Sequence, residues 1–411
     1  MLPRITRVVA GLAMTLVVVQ PVPTHADEGV GLPTLDEATF LQRVLARSPR
    51  SEVFADRKRA ARAAVTVAAV VPNPTLSYER EAVPGIDAHD DFVRLEWPVD
   101  LAGRRRLAVA GARANADAER LTVDREAWLL EIEARQAYLD AVHARESVAR
   151  LDAARTSLAT MVDALRSRAT QGDASSYDAD RAALELDALD DERATALRSL
   201  AIARLRLGGL VGEPATAYEP SDRLVIPPRP SETSRGAHRP DVDAARARAL
   251  HADRELTIAQ RSWFPRLQVM VGMMSSGSSS GDGLGYVVGI GGELPLLNRG
   301  GAAAERSRAD ARRWRSEATA LAAEASAESE QARRELVLRI AQAEAYAAGP
   351  AKRADDLQRR ASVAYREGDR PILELLDVER GARHAAVRAI ELIYEARRAE
   401  LVLRRAIGRN P

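Results

Sequence analysis

Cysteine is absent from all 411 residues. Its absence excludes disulfides, thiolate metal sites and a lipid-modified cysteine behind a leader. An excess of either charge is missing too: 60 Lys and Arg offset 59 Asp and Glu, so no strong field favours nucleic acid. Aromatic residues make up only 4% of the chain. Past the N-terminus, no stretch approaches the ~20 consecutive apolar residues of a transmembrane helix. What is plentiful is charge of both signs, 29% of residues. Interleaved with Ala and Leu, it describes long solvated helices joined by thin apolar seams, rather than a thick globular core.

Residues 1–26 read as a secretory signal. Arg4 and Arg7 form the basic region, and Val8 to Val19 form an apolar segment too short to span a bilayer comfortably. Thr24-His25-Ala26 supplies the small residues of a cleavage site. The expectation is an exported protein whose mature chain starts near Asp27, against the plainer alternative of a membrane anchor that stays attached.

The chain then says the same thing twice. Around Gly172 it reads Arg168-Ala-Thr-Gln-Gly-Asp-Ala-Ser-Ser-Tyr-Asp178, and around Gly368 it reads Ala364-Tyr-Arg-Glu-Gly-Asp-Arg-Pro-Ile-Leu-Glu374. Ser48-Pro49 is echoed by Arg239-Pro240, Pro74 by Pro265, Pro98 by Pro295, and Gly212 by Gly408. A repeat of half the chain, far longer than a solenoid unit, implies two copies of one structural hairpin. The copies span 27–212 and 241–411, joined by a proline-rich linker over 213–240.

In the first copy, helices are expected over 36–70, broken at Ser48-Pro49. A strand over Thr75–Glu81 puts Leu76, Tyr78 and Arg80 on one face. A polar loop over 83–91 leads to a second strand, Phe92–Trp97, closed by Pro98. From Gly103 to about Thr170 the pattern is helical, with Leu151, Ala154, Leu158, Met161 and Leu165 stepping by three and four as a coiled-coil seam. Such a helix would reach roughly 100 Å. Gly172 breaks it, and a second helix runs from about Ser175 to Leu207, ended by Gly208-Gly209 and Gly212.

The second copy repeats the order: a helix over 241–262, strands over Leu267–Met273 and Gly285–Leu294 around a Gly/Ser loop, then a long helix from Gly300-Gly301 to about Arg366. A kink is expected at Gly349-Pro350, a turn at Gly368 and a last helix over Ile372–Ile407. The fold class is therefore mainly α, with long antiparallel coiled-coil hairpins and four β-strands. Four strands cannot close a barrel, nor sit in a bilayer with unpaired edges. If they enter a membrane, several chains must share one barrel, and three chains would supply twelve strands.

From about Leu35 to Gly408 the chain resembles the TolC-like outer-membrane efflux channels of Gram-negative bacteria. The likeness rests on Pro72-Asn-Pro-Thr-Leu-Ser77 before the first strand, and on Glu96-Trp-Pro-Val-Asp-Leu-Ala-Gly103 and Glu293-Leu-Pro-Leu-Leu-Asn-Arg-Gly300 between strand and helix. It rests also on Tyr365-Arg-Glu-Gly-Asp-Arg-Pro-Ile-Leu-Glu-Leu-Leu-Asp377 at the second turn. The resemblance implies a homotrimer with one twelve-stranded β-barrel in outer-membrane lipid and a helical tunnel in the periplasm. A periplasmic adaptor and an inner-membrane pump, of RND type, would dock at the tip. The short chain and the Asn-Pro-Thr-Leu segment look most like the heavy-metal branch.

The resemblance also assigns roles to residues. Glu374 and Asp377 match the acidic positions that ring the closed constriction. Three residues apart on a helix, they share a face, and three copies on an axis would make stacked anionic rings. A solvated acidic first turn, favoured by the helix dipole, is the plainer alternative. Tyr365, Arg370 and Asp178 match a latch between neighbouring helices, against the alternative of an ordinary surface ion pair. Pro371 beside Arg370 departs from the family type. Gln171, Gly172, Asp173, Glu367, Gly368 and Asp369 would form the adaptor-contact tips, although turn and cap chemistry alone would favour Gly and Asp there.

No other chemistry stands out. His25, His89, His143, His238, His251 and His384 do not pair at metal-ligand spacing and read as surface residues, so no metal or cofactor is expected. Ser275 to Ser280 lacks a nucleophile-elbow setting, and no enzyme activity is expected. Trp97, Tyr286 and Tyr78 sit at strand positions where membrane-interface aromatics are common, though ordinary β packing would suit them equally. A soluble periplasmic coiled-coil adaptor or scaffold would explain the helices and the leader, but not the paired strands.

Overall fold

Glycines in the left-handed conformation mark corresponding joints in the two halves. Gly103 (φ 64°) and Gly300 (φ 80°) precede the two longest helices; Gly172 (84°) and Gly368 (79°) turn the helical hairpins; Gly212 (91°) and Gly408 (87°) close the last helix of each half. A Cβ is disfavoured there, so glycine fixes where each helix begins and ends.

The computed structural model describes residues 32–82, 88–172, 175–230, 239–278 and 281–408. The expected leader and Asp173 lie outside the described residues. The first half contains β1 (Thr34–Leu35), α1 (Glu37–Arg47), α2 (Pro49–Ala69), β2 (Thr75–Ala82), β3 (Ala88–Val99), α3 (Arg104–Thr170) and α4 (Ser176–Val211). After β4 (Glu219–Pro220) come α5 (Pro240–Gln260), a 3-10 turn, β5 (Arg266–Ser278) and β6 (Gly283–Glu293). The chain ends with α6 (Gly301–Tyr346), a π turn (Ala347–Ala351), α7 (Lys352–Arg366) and α8 (Ile372–Ile407).

The fold class matches the expectation, with three local corrections. First, β3 and β5 extend through segments expected as loops. Residues 88–91 of β3 pair with Ser275–Ser278 of β5, and Asp91 faces Arg80 of β2. Arg80 Nε donates to Asp91 at 2.6 Å and the Tyr78 hydroxyl at 2.7 Å, so cross-strand ion pairing supports a strand that lacks apolar alternation. Second, α4 continues through Gly208 and Gly209 and stops only at Gly212. Third, the linker is not wholly irregular: β4 pairs in parallel with β1, and Tyr218 is buried beside it. The expected kink at Gly349-Pro350 takes the form of the π turn, which accommodates the missing proline N–H.

Two kinds of seam hold the helices. Near the tips, Leu151, Leu158, Val162 and Leu165 of α3 pack with Ala179, Ala182 and Leu189 of α4 and with Ile372, Leu375 and Leu376 of α8. In α6, Ala304, Ala311, Ala318, Ala325 and Ala332 are buried at every seventh position. A strict seven-residue spacing keeps one stripe on the partner, and alanine lets helix backbones approach closely. Halfway along α3, Leu130, Ala134, Tyr138 and Val142 form the thickest core with Phe40 and Val44 of α1 and Leu207 and Val211 of α4.

Candidate functional site

The four long strands form one antiparallel sheet in the order β2-β3-β5-β6. Its register sorts the side chains by face. Leu76 lies opposite Leu95, Leu95 opposite Val271, and Val271 opposite Val288. The next row reads Tyr78, Val93, Met273 and Tyr286, and Trp97, Val269 and Ile290 lie in register on the same face. All of these side chains are exposed, Tyr286 at 86%.

The opposite face carries Ser77, Glu79, Arg94, Glu96, Gln268, Met270 and Gly272, with Gly285, Gly289 and Gly291 of β6. Arg94 pairs with Glu79 and lies over the Phe92 ring at 4.4 Å, while Gln268 donates to Glu96 at 3.1 Å. Along β6, exposed positions on the apolar face alternate with half-buried positions on the polar one. The sheet therefore curls with its polar face inward. A convex apolar face and a concave polar face are the two sides of a membrane barrel wall. Trp97, Tyr78 and Tyr286 all belong to the convex side. Among the described residues, β2 and β6 have no outer partner, so one chain supplies only an arc.

The sheet joins one end of α3, and the tip residues lie at the other, about 100 Å away by the helical rise. Gln171, Gly172, Glu367, Gly368 and Asp369 are exposed there. The Asp369 N–H donates to Ala364 O at 2.9 Å and the Gly368 N–H to Tyr365 O at 3.1 Å, which closes α7.

Glu374 and Asp377 are both exposed on the first two turns of α8, while Ile372, Leu375 and Leu376 face the core. Each acid has an arginine near it: Arg370 reaches Glu374 at 3.2 Å, and Arg380 approaches Asp377 at 3.9 Å. Among the described residues of one chain, the latch residues do not meet as a set. Arg370, in the turn before α8, reaches Glu374, Asp178 is half-buried in the first turn of α4, and Tyr365 packs against the tip seam.

Two histidines expected on the surface are partly buried. His143 stacks on Tyr394 at 4.4 Å, and burial pushes its imidazole pKa down. His251 Nδ1 lies 3.0 Å from Gly111 O, where α3 and α5 approach closely. Among the described residues no group of three or more His, Cys, Asp or Glu is placed to hold a metal ion. No described helix is long and apolar enough to cross a membrane.

Residues 236–409 match the family model for outer membrane efflux proteins. The match lies in the second half of the chain, which carries the sequence signature of that family. No curated protein matches it. Solved structures with the same fold include the outer-membrane channel OprN, 21% identical with TM-score 0.76, covering 90% of this chain and 89% of that one. VceC from Vibrio cholerae is 18% identical with TM-score 0.71, covering 90% and 96% respectively. CusC is 17% identical with TM-score 0.72, covering 95% and 97%. At such identities the likeness is one of fold. The apolar sheet and the charged tip thus stand at opposite ends of the helical body. The alanine stripe of α6 is faint in the sequence because alanine hardly raises local hydrophobicity; its spacing of seven is the available signal.

Proposed function

We propose that the chain is the exit duct of a tripartite efflux pump, acting as a homotrimer. Three sheets would join edge to edge, β6 of one copy beside β2 of the next, as a twelve-stranded barrel in the outer membrane. The helices would form a periplasmic tunnel, and conduction would be passive. The observation that carries this reading is the two-faced, open-edged sheet. Its exposed apolar side suits lipid, and its unpaired edges need partners in a membrane.

The concave face carries Glu79, Glu81, Asp90, Glu96 and Glu293 against Arg94 and Arg266. A lining richer in acids favours cations, which fits export of heavy-metal ions. At the tip, Glu374 and Asp377 act as the constriction in this reading. Tyr365, Arg370 and Asp178 act as a latch that needs neighbouring helices, with Arg370 leaving Glu374 to reach its partner. Gln171, Gly172, Asp173, Glu367, Gly368 and Asp369 meet a periplasmic adaptor, beyond which stands an inner-membrane pump of RND type.

The test is the mass and membrane behaviour of the mature protein, followed by conductance in a planar bilayer. A trimer that needs detergent and conducts is expected. A monomer or dimer that stays soluble without detergent would overturn the duct and favour a periplasmic scaffold.

A further inference from the structure

We infer that Glu185 of α4, gripped by Arg380 and Arg383 of α8, is the clasp that holds the gate hairpin α7–α8 against α3–α4. The inference rests on the gated-duct reading and assigns its control to residues outside the expected latch.

Arg380 presents a fork to Glu185: Nη2 donates to Oε2 at 2.5 Å and Nε to Oε1 at 3.1 Å. Arg383 Nη2 donates to Oε1 of the same carboxylate at 3.2 Å. The pairing joins residues 195 and 198 positions apart, so it ties one helical hairpin to the other. It is also sheltered. The Glu185 side chain is 12% exposed and that of Arg383 is 6% exposed. Removing the carboxylate would leave a buried guanidinium without its main counter-ion, with Glu192 at 3.5 Å and the more distant Glu379 to offset the loss in part. An orphaned buried charge of this kind strongly disfavours the arrangement that buries it.

The surroundings make this bond a control point. Arg380 also approaches Asp377, so one side chain links clasp and constriction. Gly381 stands between the two clasp arginines, in an exposed helical position with nothing within 4 Å of where a Cβ would be. No packing demands glycine there, and it weakens α8 locally. The π turn over Ala347–Ala351 interrupts the other arm of the hairpin, and α7 below it contains no buried residue. Both arms are thus soft near the clasp. Bonds from Arg380 and Arg383 also hold the Glu185 carboxyl below its usual range, which preserves the pair through mild acidification.

The test compares full-length wild-type protein with Glu185→Gln in planar bilayers. Clasp loss should raise mean conductance at least ten-fold with the trimer fraction unchanged. Glu330→Gln removes an intrahelical acid of α6 and should change nothing. Glu185→Arg combined with Arg380→Glu and Arg383→Glu should return conductance towards wild type. Because the chain lacks cysteine, Glu185→Cys with Arg380→Cys can also be bridged by a short bis-maleimide, which should hold conductance at the wild-type level. A conducting wild-type trimer unaffected by Glu185→Gln, or a bridged pair as conductive as the unbridged one, overturns the clasp. Failure of the wild-type protein to trimerise or conduct overturns instead the duct on which the inference rests.

Discussion

The carbonyl oxygen of Thr216 overlaps the point where a Cβ on Gly208 would stand, and that of Glu213 comes within 2.5 Å of it. The chain leaving α4 folds back across the helix here, and the Glu213 N–H donates to Gly208 O at 2.8 Å. Backbone cannot swing aside as a side chain can. Gly208→Ala should therefore destabilise the protein by about 1–3 kcal/mol, as overpacking does. Gly209, one residue on, has nothing within 4 Å of its Cβ position. Gly209→Ala should instead stabilise by roughly 0.5–1 kcal/mol, because an Ala costs less helix entropy than a Gly. Thermal unfolding of the two variants in detergent checks the opposite signs.

That contrast shows where sequence reading succeeds and where it stops. Helix limits were legible because they are local: Pro49, Gly103, Gly172, Gly368 and Pro371 act through their own backbones. The order of the long helices and strands followed from those marks. Residues 88–91 and 275–278 look like loop in the sequence because their strand state comes from partners across the sheet. Gly208 looks like a helix stop in the sequence because its real constraint, the returning segment at Thr216, lies outside its helix. Glu185 and Arg383 carry no local signal at all, since their meeting requires the two hairpins to be packed. Glu374 and Asp377 were legible as exposed acids, but not the arginines that attend them.

The two faces of β6 give a direct test of the barrel. Val288 lies mid-strand on the convex face and is 70% exposed, while Val287 lies on the concave one. Val288→Lys should cost about 2–4 kcal/mol in a bilayer, as for a cation placed at the lipid midplane. Val287→Lys sits on the concave face and should assemble almost normally. Folding yield into lipid vesicles distinguishes them. Equal yields would contradict the face assignment.

Glu379 predicts a pH effect near the tip. Burial pushes its carboxyl pKa above the ordinary 4.5, although Gln358 donates to it at 2.6 Å. A raised carboxyl pKa means that the folded state favours the protonated form more than the unfolded state does. The stabilising contribution is present below the unfolded pKa and is lost as pH rises through the folded one. Glutamine imitates the protonated form and keeps the acceptor for Gln358. Glu379→Gln should melt higher than wild type at neutral pH, and the gap should close on acidification. A gap independent of pH would assign the effect to packing instead.

The tip arginines predict how the proposed constriction would select ions. Arg370 lies 3.2 Å from Glu374, and both side chains are more than half exposed. An exposed pair of this kind adds little stability, so Arg370→Gln should leave unfolding almost unchanged. Its charge matters more than its bond energy. In the proposed trimer the substitution would remove a cation from every copy at the proposed constriction, leaving Glu374 uncompensated on each α8. A stronger anionic ring attracts cations and repels anions. The reversal potential across a potassium chloride gradient should then shift towards the potassium equilibrium potential, and Glu374→Gln should shift it the opposite way. If neither variant moves the reversal potential, these acids do not line the constriction, and the selectivity must arise at the charged concave face of the sheet.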